Sequence, residues 1–278
     1  MELKILSKVL LKDVPSASGM ELLNDTIFVC CDDSSFVFQI NHDGKIQKKI
    51  PLFENQEARI PKMLKPDFEA MFAIDNDLFL LGSGSAQNRN KMFVVNLKSE
   101  QIQEFSLVKL YDVLKYEAKL KPEEFNIEAA AVLNDLVYLM NRGDNSIFIL
   151  SLESFNNVVF KNDELQEVEI RKYNLPNING HIAGFSGACV FDDFLFFSAS
   201  VENTSDWIND GEILGSFIGI INLCAPTHSD VLSVLVDREN KIEALAVERK
   251  EGDSYFLKAM TDNDDGQSLL MNLELIIK

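Results

Sequence analysis

The sequence predicts an all-β fold: a five-bladed β-propeller of four-stranded blades, one domain over residues 1–278. Three observations predict it. A phrase of a small pair, an apolar strand, a tight Asp/Asn turn and a second apolar strand occurs five times. It reads SGMELLNDTIFVCC from Ser18, EAMFAIDNDLFLLG from Glu69, EAAAVLNDLVYLM from Glu128, SGACVFDDFLFFSA from Ser186 and EALAVERKEGDSYFLKA from Glu243. Successive starts lie 51, 59, 58 and 57 residues apart, the blade-sized self-similarity of a propeller. Finally, Leu3–Leu11 alternates before the first phrase, while the fifth unit runs out of chain before its outer strand.

The elements follow in order. In unit one, Met20–Leu23 and Thr26–Cys31 flank the hairpin signal Asn24-Asp25, and Phe36–Asn41 and Lys45–Leu52 flank His42-Asp43-Gly44. Unit two holds Met71–Ile74, Leu78–Gly82, Lys91–Leu97 and Ile102–Val108. Lys109–Lys121 breaks the strand pattern: Leu110, Val113, Leu114 and Ala118 suit a surface helix. Unit three holds Ala129–Leu133, Leu136–Met140, Ser146–Leu152 and Glu167–Tyr173. Unit four holds Ala188–Phe191, Phe194–Ala199, Ser216–Asn222 and Val231–Val236, with an insertion over Val201–Gly215. Unit five holds Ala244–Glu248, Ser254–Met260 and Ser268–Leu275, and Leu3–Leu11 supplies its fourth strand, which closes the ring and removes a free edge. Six blades is the alternative, with a degenerate unit in Leu52–Asp67 or the helical region.

Composition bounds the function. The net charge of −18 opposes binding to nucleic acid or anionic membrane. No apolar run approaches the length of a membrane span. Lys4, Lys8 and Lys12 interrupt the apolar start, unlike a signal peptide, and a cytoplasmic location is expected. Cys30, Cys31, Cys189 and Cys224 lack zinc-type spacing and read as reduced thiols. Closure of the ring implies a monomer.

In a propeller, the residue opening each inner strand points to the central channel on one face. Ser18, Glu69, Glu128, Ser186 and Glu243 therefore ring one mouth. The loops after each second strand open on the same face and carry Asp32-Asp33-Ser34, Ser85 with Arg89, Asn141-Arg142 to Asn145, Glu202 with Asp210, and Asp262 to Asp265. Glu69, Glu128 and Glu243 repel one another across a narrow channel unless backbone N–H groups, an arginine or a cation answers them. They are the candidate metal ligands, with Ca²⁺ as the cation that takes six to eight oxygens. Arg89 and Arg142 either pair with Glu69 and Glu128 or grip a phosphate or carboxylate of the ligand. Glu128, Arg142 and Arg89 are the candidate catalytic residues. Ser18, Asp33, Ser85, Asn145, Ser186, Glu202 and Asp262 are the candidate ligand-binding residues. Trp207 offers a stacking surface, and no Ser/His/Asp set forms around His42, His181 or His228.

These phrases, with the loops TDNDDG and DGEILGSF, resemble an uncharacterised bacterial β-propeller family over nearly the whole chain. More distantly they are similar to the phytase-like esterase propellers, through the Glu-led repeat phrase. The first resemblance implies the fold. The second implies ester or phosphoester hydrolysis assisted by Ca²⁺, although Ala follows Glu69, Glu128 and Glu243 where those propellers carry Gly. Two functions are thus expected: a metal-assisted hydrolase of a small ester or phosphoester, or a non-catalytic module that binds a small ligand or peptide at the same mouth.

Overall fold

A computed structural model describes residues 1–57, 59–204, 211–224 and 231–277. It is a five-bladed propeller in which each blade is a four-stranded antiparallel sheet. The inner strands are Ala17–Leu23, Phe68–Ile74, Ile127–Leu133, Gly184–Phe191 and Ile242–Glu251. The outer strands of blades one to four are Ile46–Pro51, Ile102–Ser106, Glu169–Lys172 and Leu232–Asp237. Glu2–Leu11 is the outer strand of blade five and pairs antiparallel with Ser268–Ile276, from Glu2↔Ile276 to Leu11↔Ser268. The expected closure of the ring therefore holds. The six-blade alternative fails because Leu52–Asp67 contributes no strand among the described residues and the irregular region between blades two and three is helical.

Local chemistry explains the repeat. Inner and second strands are joined by two-residue turns, and Asn24-Asp25 and Asn134-Asp135 take positive φ at both positions. Asn and Asp tolerate that conformation, and its twist matches the strands on either side. One feature recurs in every blade. The pairing register of the inner strand slips at its start, between Ala17/Gly19, Phe68/Ala70, Ile127/Ala129, Phe185/Gly187 and Ile242/Ala244, and in blade five again between Val247/Arg249. The skipped residue is Ser18, Glu69, Glu128, Ser186 or Glu243. A bulge leaves that residue unpaired and re-aims its side chain, and here the three glutamates reach the channel mouth while the two serines bond the backbone of the next blade.

The core lies between blades. Phe72, Phe125, Phe148 and Phe155 are fully buried between blades two and three. Two helices cover this junction. The first, α1 (Val108–Ala118), buries Leu110, Tyr111 and Leu114, as expected from its spacing. The second, α2 (Leu152–Lys161), was not anticipated in the stretch between the third and fourth strands of blade three. Ser151 caps it by accepting from Ser154 N at 3.0 Å, and Phe155, Val158 and Val159 form its buried face. Through α1 the core also reaches the channel face. The Tyr111 hydroxyl donates to Gly82 O at 2.7 Å, and a Cβ on Gly84, at φ +77°, would meet the Tyr111 and Phe125 rings at 2.7 Å. The loop that carries Ser85 and Arg89 thus rests on a rigid aromatic floor.

Among the described residues no helix is long and apolar enough to cross a membrane. The cysteines are free, with Cys30 and Cys31 buried and Cys224 exposed.

Candidate functional site

A cavity of about 380 Å³ opens at the channel mouth, on the face that the bulges address. Nine carboxylates and six Lys or Arg side chains line it. The charges divide into two walls.

The first wall comes from blades three, four and five. Arg142, with a side chain only 4% exposed, reaches Glu202 at 2.7 Å, Glu128 at 3.4 Å and Glu243 at 4.0 Å. Lys241 completes it, 2.7 Å from Glu243 and 3.6 Å from Glu202. The Asn126 amide donates to Glu128 at 2.5 Å. Burial works against the positive charge of Arg142 and Lys241, but Glu128, Glu202 and Glu243 outweigh it and hold both above their ordinary pKa. Burial also raises Glu128 and Glu243, partly offset by Arg142 and Lys241.

The second wall comes from blades one, two and five and from the strap that joins blade one to blade two. Lys65, on the strap, bonds Asp32 and lies 2.9 Å from Asp67. Arg89 reaches Asp67 at 2.8 Å and the Ser85 hydroxyl at 2.8 Å. Arg59 donates to Asp33 at 2.6 Å, and Ser16 also donates to Asp33. Asp32, Asp67 and Glu69 each offer an oxygen within 4.8 Å of the others. The Lys65 ammonium pairs directly with Asp32 and Asp67 and acts on Glu69 from farther away. Glu69 has no ion pair or hydrogen bond among the described residues, because the nearby cations are engaged by other carboxylates. Burial, then Asp67 and Glu128, push its carboxyl well above the usual range. Asp32 is also raised, by burial against the pull of Lys65, and its Oδ1 has no hydrogen-bond partner. Burial and Asp32 push Asp262 up to about 7.

The expected site residues thus separate into two groups. Glu69, Glu128, Glu243, Arg89, Arg142, Asp33, Ser85, Glu202 and Asp262 all line the cavity. Of the two expected arginine pairs, Arg142–Glu128 forms, while Arg89 turns to Asp67 instead of Glu69. Ser18, Ser186 and Asn145 do not line that cavity, although Ser18 lines a separate small cavity with Glu69, Glu128 and Glu243. The Ser18 hydroxyl donates to Phe68 O at 2.5 Å and that of Ser186 to Ile242 O at 2.6 Å, each fastening its blade to the next. Asn145 joins blade three to blade four, donating to Ala183 O at 2.9 Å. His42 sits apart, 2.8 Å from Glu248, and His181 lies on the short ribbon Asn177–Ile178/His181–Ile182. Trp207, Asp210 and His228 lie outside the described residues. The Asp262–Asp265 loop is held by its own turns, with Asp264 N donating to Asp262 at 2.8 Å.

Sequence reading missed Asp67, Asn126 and Lys241. A signal was present: Asp67-Phe68-Glu69, Asn126-Ile127-Glu128 and Lys241-Ile242-Glu243 repeat one polar–apolar–polar pattern, which places both polar residues on one side. It also missed Arg59, Lys62 and Lys65, which sit on the strap between blades one and two.

Two solved structures share this architecture. Glutaminyl cyclase of Myxococcus xanthus is 9% identical with a TM-score of 0.57, over 99% of this chain and 97% of that one. The α-L-arabinanase of Cellvibrio cellulosa, complexed with arabinohexaose, is 12% identical with a TM-score of 0.51, over 95% of this chain and 92% of that one. At such identity the likeness extends to the fold alone. No curated protein matches the chain. Residues 13–275 match the family of unknown function DUF6929, and the chain belongs to that family.

Proposed function

We propose that the basin at the channel mouth binds a small polar ligand that carries a positive centre. One observation carries this reading: Glu69 lies on a cavity where carboxylates outnumber cations nine to six, and no ion pair or hydrogen bond reaches it among the described residues, Lys65 and Arg142 acting on it only from a distance. Carboxylates crowded in a partly desolvated site repel one another, and a cation from outside relieves that repulsion. The volume suits a small molecule rather than a macromolecular surface. The same basin holds groups suited to chemistry. Glu128 is a raised carboxylate able to accept a proton, and Arg89 and Arg142 are guanidiniums able to steady an anion.

A second reading is favoured by the Asp32–Asp67–Glu69 cluster. There those three residues would hold Ca²⁺ in place of the Lys65 ammonium, with Glu128 and Glu243 facing it across the mouth. A bound Ca²⁺ supplies charge stabilisation for ester or phosphoester hydrolysis. We infer further a monomer, since blade five is closed by the N-terminal strand, and a reducing compartment such as the cytoplasm, since the four cysteines are free.

The test is a thermal-shift panel of small cations, neutral polyols and anions at pH 7, with ester and phosphoester turnover followed with and without Ca²⁺. The proposal expects organic cations to raise Tm most. Stabilisation by anions alone overturns it. Calcium-dependent turnover that Glu128→Gln abolishes establishes the second reading instead. Light scattering on the same sample checks the monomer.

A further inference from the structure

We propose that the positive centre is a primary alkylammonium group, seated on Glu69 beside Asp32; this rests on the basin reading above and names its ligand class. Four observations converge on it. Asp32, itself 8% exposed, lines the cavity, and its buried Oδ1 has no hydrogen-bond partner, so this carboxylate beside Glu69 has room for one more donor. A primary ammonium brings donor and charge together, with three N–H donors on a compact charge. The protein also shows the interaction in its own chain. The strap from Arg59 to Lys65 lays an alkylammonium against Asp32 and Asp67, next to Glu69, with the Lys65 side chain 13% exposed.

The remaining two observations separate an alkylammonium from other cations. The apolar part of the lining is Ile60 and Pro61, both on the strap at the rim of the cavity. They offer methylenes a surface while the ammonium goes deeper, the way a lysine stem packs. No Phe, Tyr or Trp lines the cavity among the described residues, so the aromatic cage that a quaternary ammonium needs is missing. A divalent metal meets Lys65 and Arg89 beside the same carboxylates, and its second charge doubles that repulsion.

The experiment is isothermal titration calorimetry on the full chain at pH 7 with five probes. These are 1,5-diaminopentane, Nα-acetyl-lysine amide, 1,5-pentanediol, tetramethylammonium and CaCl₂. At least one of the two amines is expected to bind at least tenfold more tightly than the diol and tetramethylammonium. Glu69→Gln, checked for fold by circular dichroism, is expected to weaken the amine at least tenfold. Where that variant does not fold, Asp262→Asn is measured in its place, with the same direction expected. Binding of the diamine alone assigns the group to a free amine. Binding of the lysine amide alone assigns it to a peptide side chain. Equal affinity for the diol, binding of CaCl₂ with both amines silent, or an amine affinity untouched by Glu69→Gln overturns the inference. In those cases the basin still binds a ligand. A protein that responds to no probe here and to no compound in the wider thermal-shift panel fails on both proposals.

Discussion

The two walls of the basin use the same residue types and reach opposite electrostatic ends. On the wall from blades three to five, Arg142 stands among Glu128, Glu202 and Glu243, and Lys241 closes the group. Each of these carboxylates has an ion pair within the protein, although Glu202 Oε1 lacks a hydrogen bond. On the wall from blades one and two, the cations come from the strap and from Arg89. They engage Asp32, Asp33 and Asp67 and leave Glu69 without an ion pair among the described residues. The first wall is a closed network, which holds blades together. The second is open, and an open set of carboxylates in a cavity has free energy to gain from a visitor. The difference also fits how the cations are delivered. Lys241 immediately precedes the inner strand Ile242–Glu251 and sits two residues before Glu243, so the start of the strand sets their spacing. Lys65 and Arg59 arrive on a strap outside the strands, which bonds the Asp32–Ser35 loop through Ile60 N to Asp33 O and Asp67 N to Asp32 O.

Breaking the closed wall should have the largest effect. Arg142→Met leaves Glu128, Glu202 and Glu243 buried with Lys241 as the remaining cation. Removing one partner of a buried ion network costs about 3–5 kcal/mol, and urea unfolding should show a loss of that size. The matched change on the open wall is Arg59→Met. Its side chain is 53% exposed though it bonds Asp33, so its loss should fall below about 1 kcal/mol. Equal losses at the two positions would erase the distinction between the walls.

Much of this contrast was legible in the sequence, and the part that was not has a physical cause. The five phrase openings mark the bulged residues, so the repeat alone places Glu69, Glu128 and Glu243 at the mouth. Leu3–Leu11 and α1 were legible because alternation and helical spacing are local signals. The Ser-Gly and Glu-Ala openings looked equivalent, yet they do different things. A serine hydroxyl is short enough to reach the neighbouring backbone from the bulge, whereas a glutamate extends past it into the cavity. Helix α2 announced itself by Ser151, Ser154 and the Phe155/Val158/Val159 face, but it is short and stands where the repeat had led one to expect only a connection. The strap was illegible: Arg59 and Lys65 meet Asp33, Asp32 and Asp67 through long-range charge alone, and no period in the sequence records that.

Stability against pH sharpens the comparison next. Asp262 has a folded pKa of about 7 against an ordinary 3.8, so the folded state holds its proton more tightly than the unfolded chain. Stability from this group is therefore greatest near and below pH 4 and is lost as pH rises toward 7. Three units correspond to at most about 4 kcal/mol. Glu69 is shifted in the same direction. Tm should accordingly fall between pH 5 and pH 8, and Asp262→Asn should flatten that slope. A Tm that rises over the same range in the wild-type protein would mean that the open wall is already neutralised in solution.

A last effect tests what the Ser-Gly openings are for. Ser186 donates to Ile242 O at 2.6 Å, and a Cβ on Gly187 would fall 2.7 Å from Glu243 O. The missing side chain lets blade five's inner strand come close, and the hydroxyl then holds it there. Ser186→Ala should cost about 1 kcal/mol, the worth of one buried hydrogen bond, since Ser200 also donates to Ile242 O at 3.1 Å and keeps the carbonyl satisfied. Gly187→Ala should cost more, about 1–3 kcal/mol, because backbone rather than a flexible side chain must move. It should also shift Glu243 within the mouth. Amine binding is the readout that separates the two roles. Ser186→Ala should leave it unchanged, because the clasp lies below the basin, while Gly187→Ala should alter it through Glu243 and Lys241. If Ser186→Ala abolishes ligand binding with the fold intact, the serine belongs to the site after all, and the division between clasping blades and basin-building blades fails.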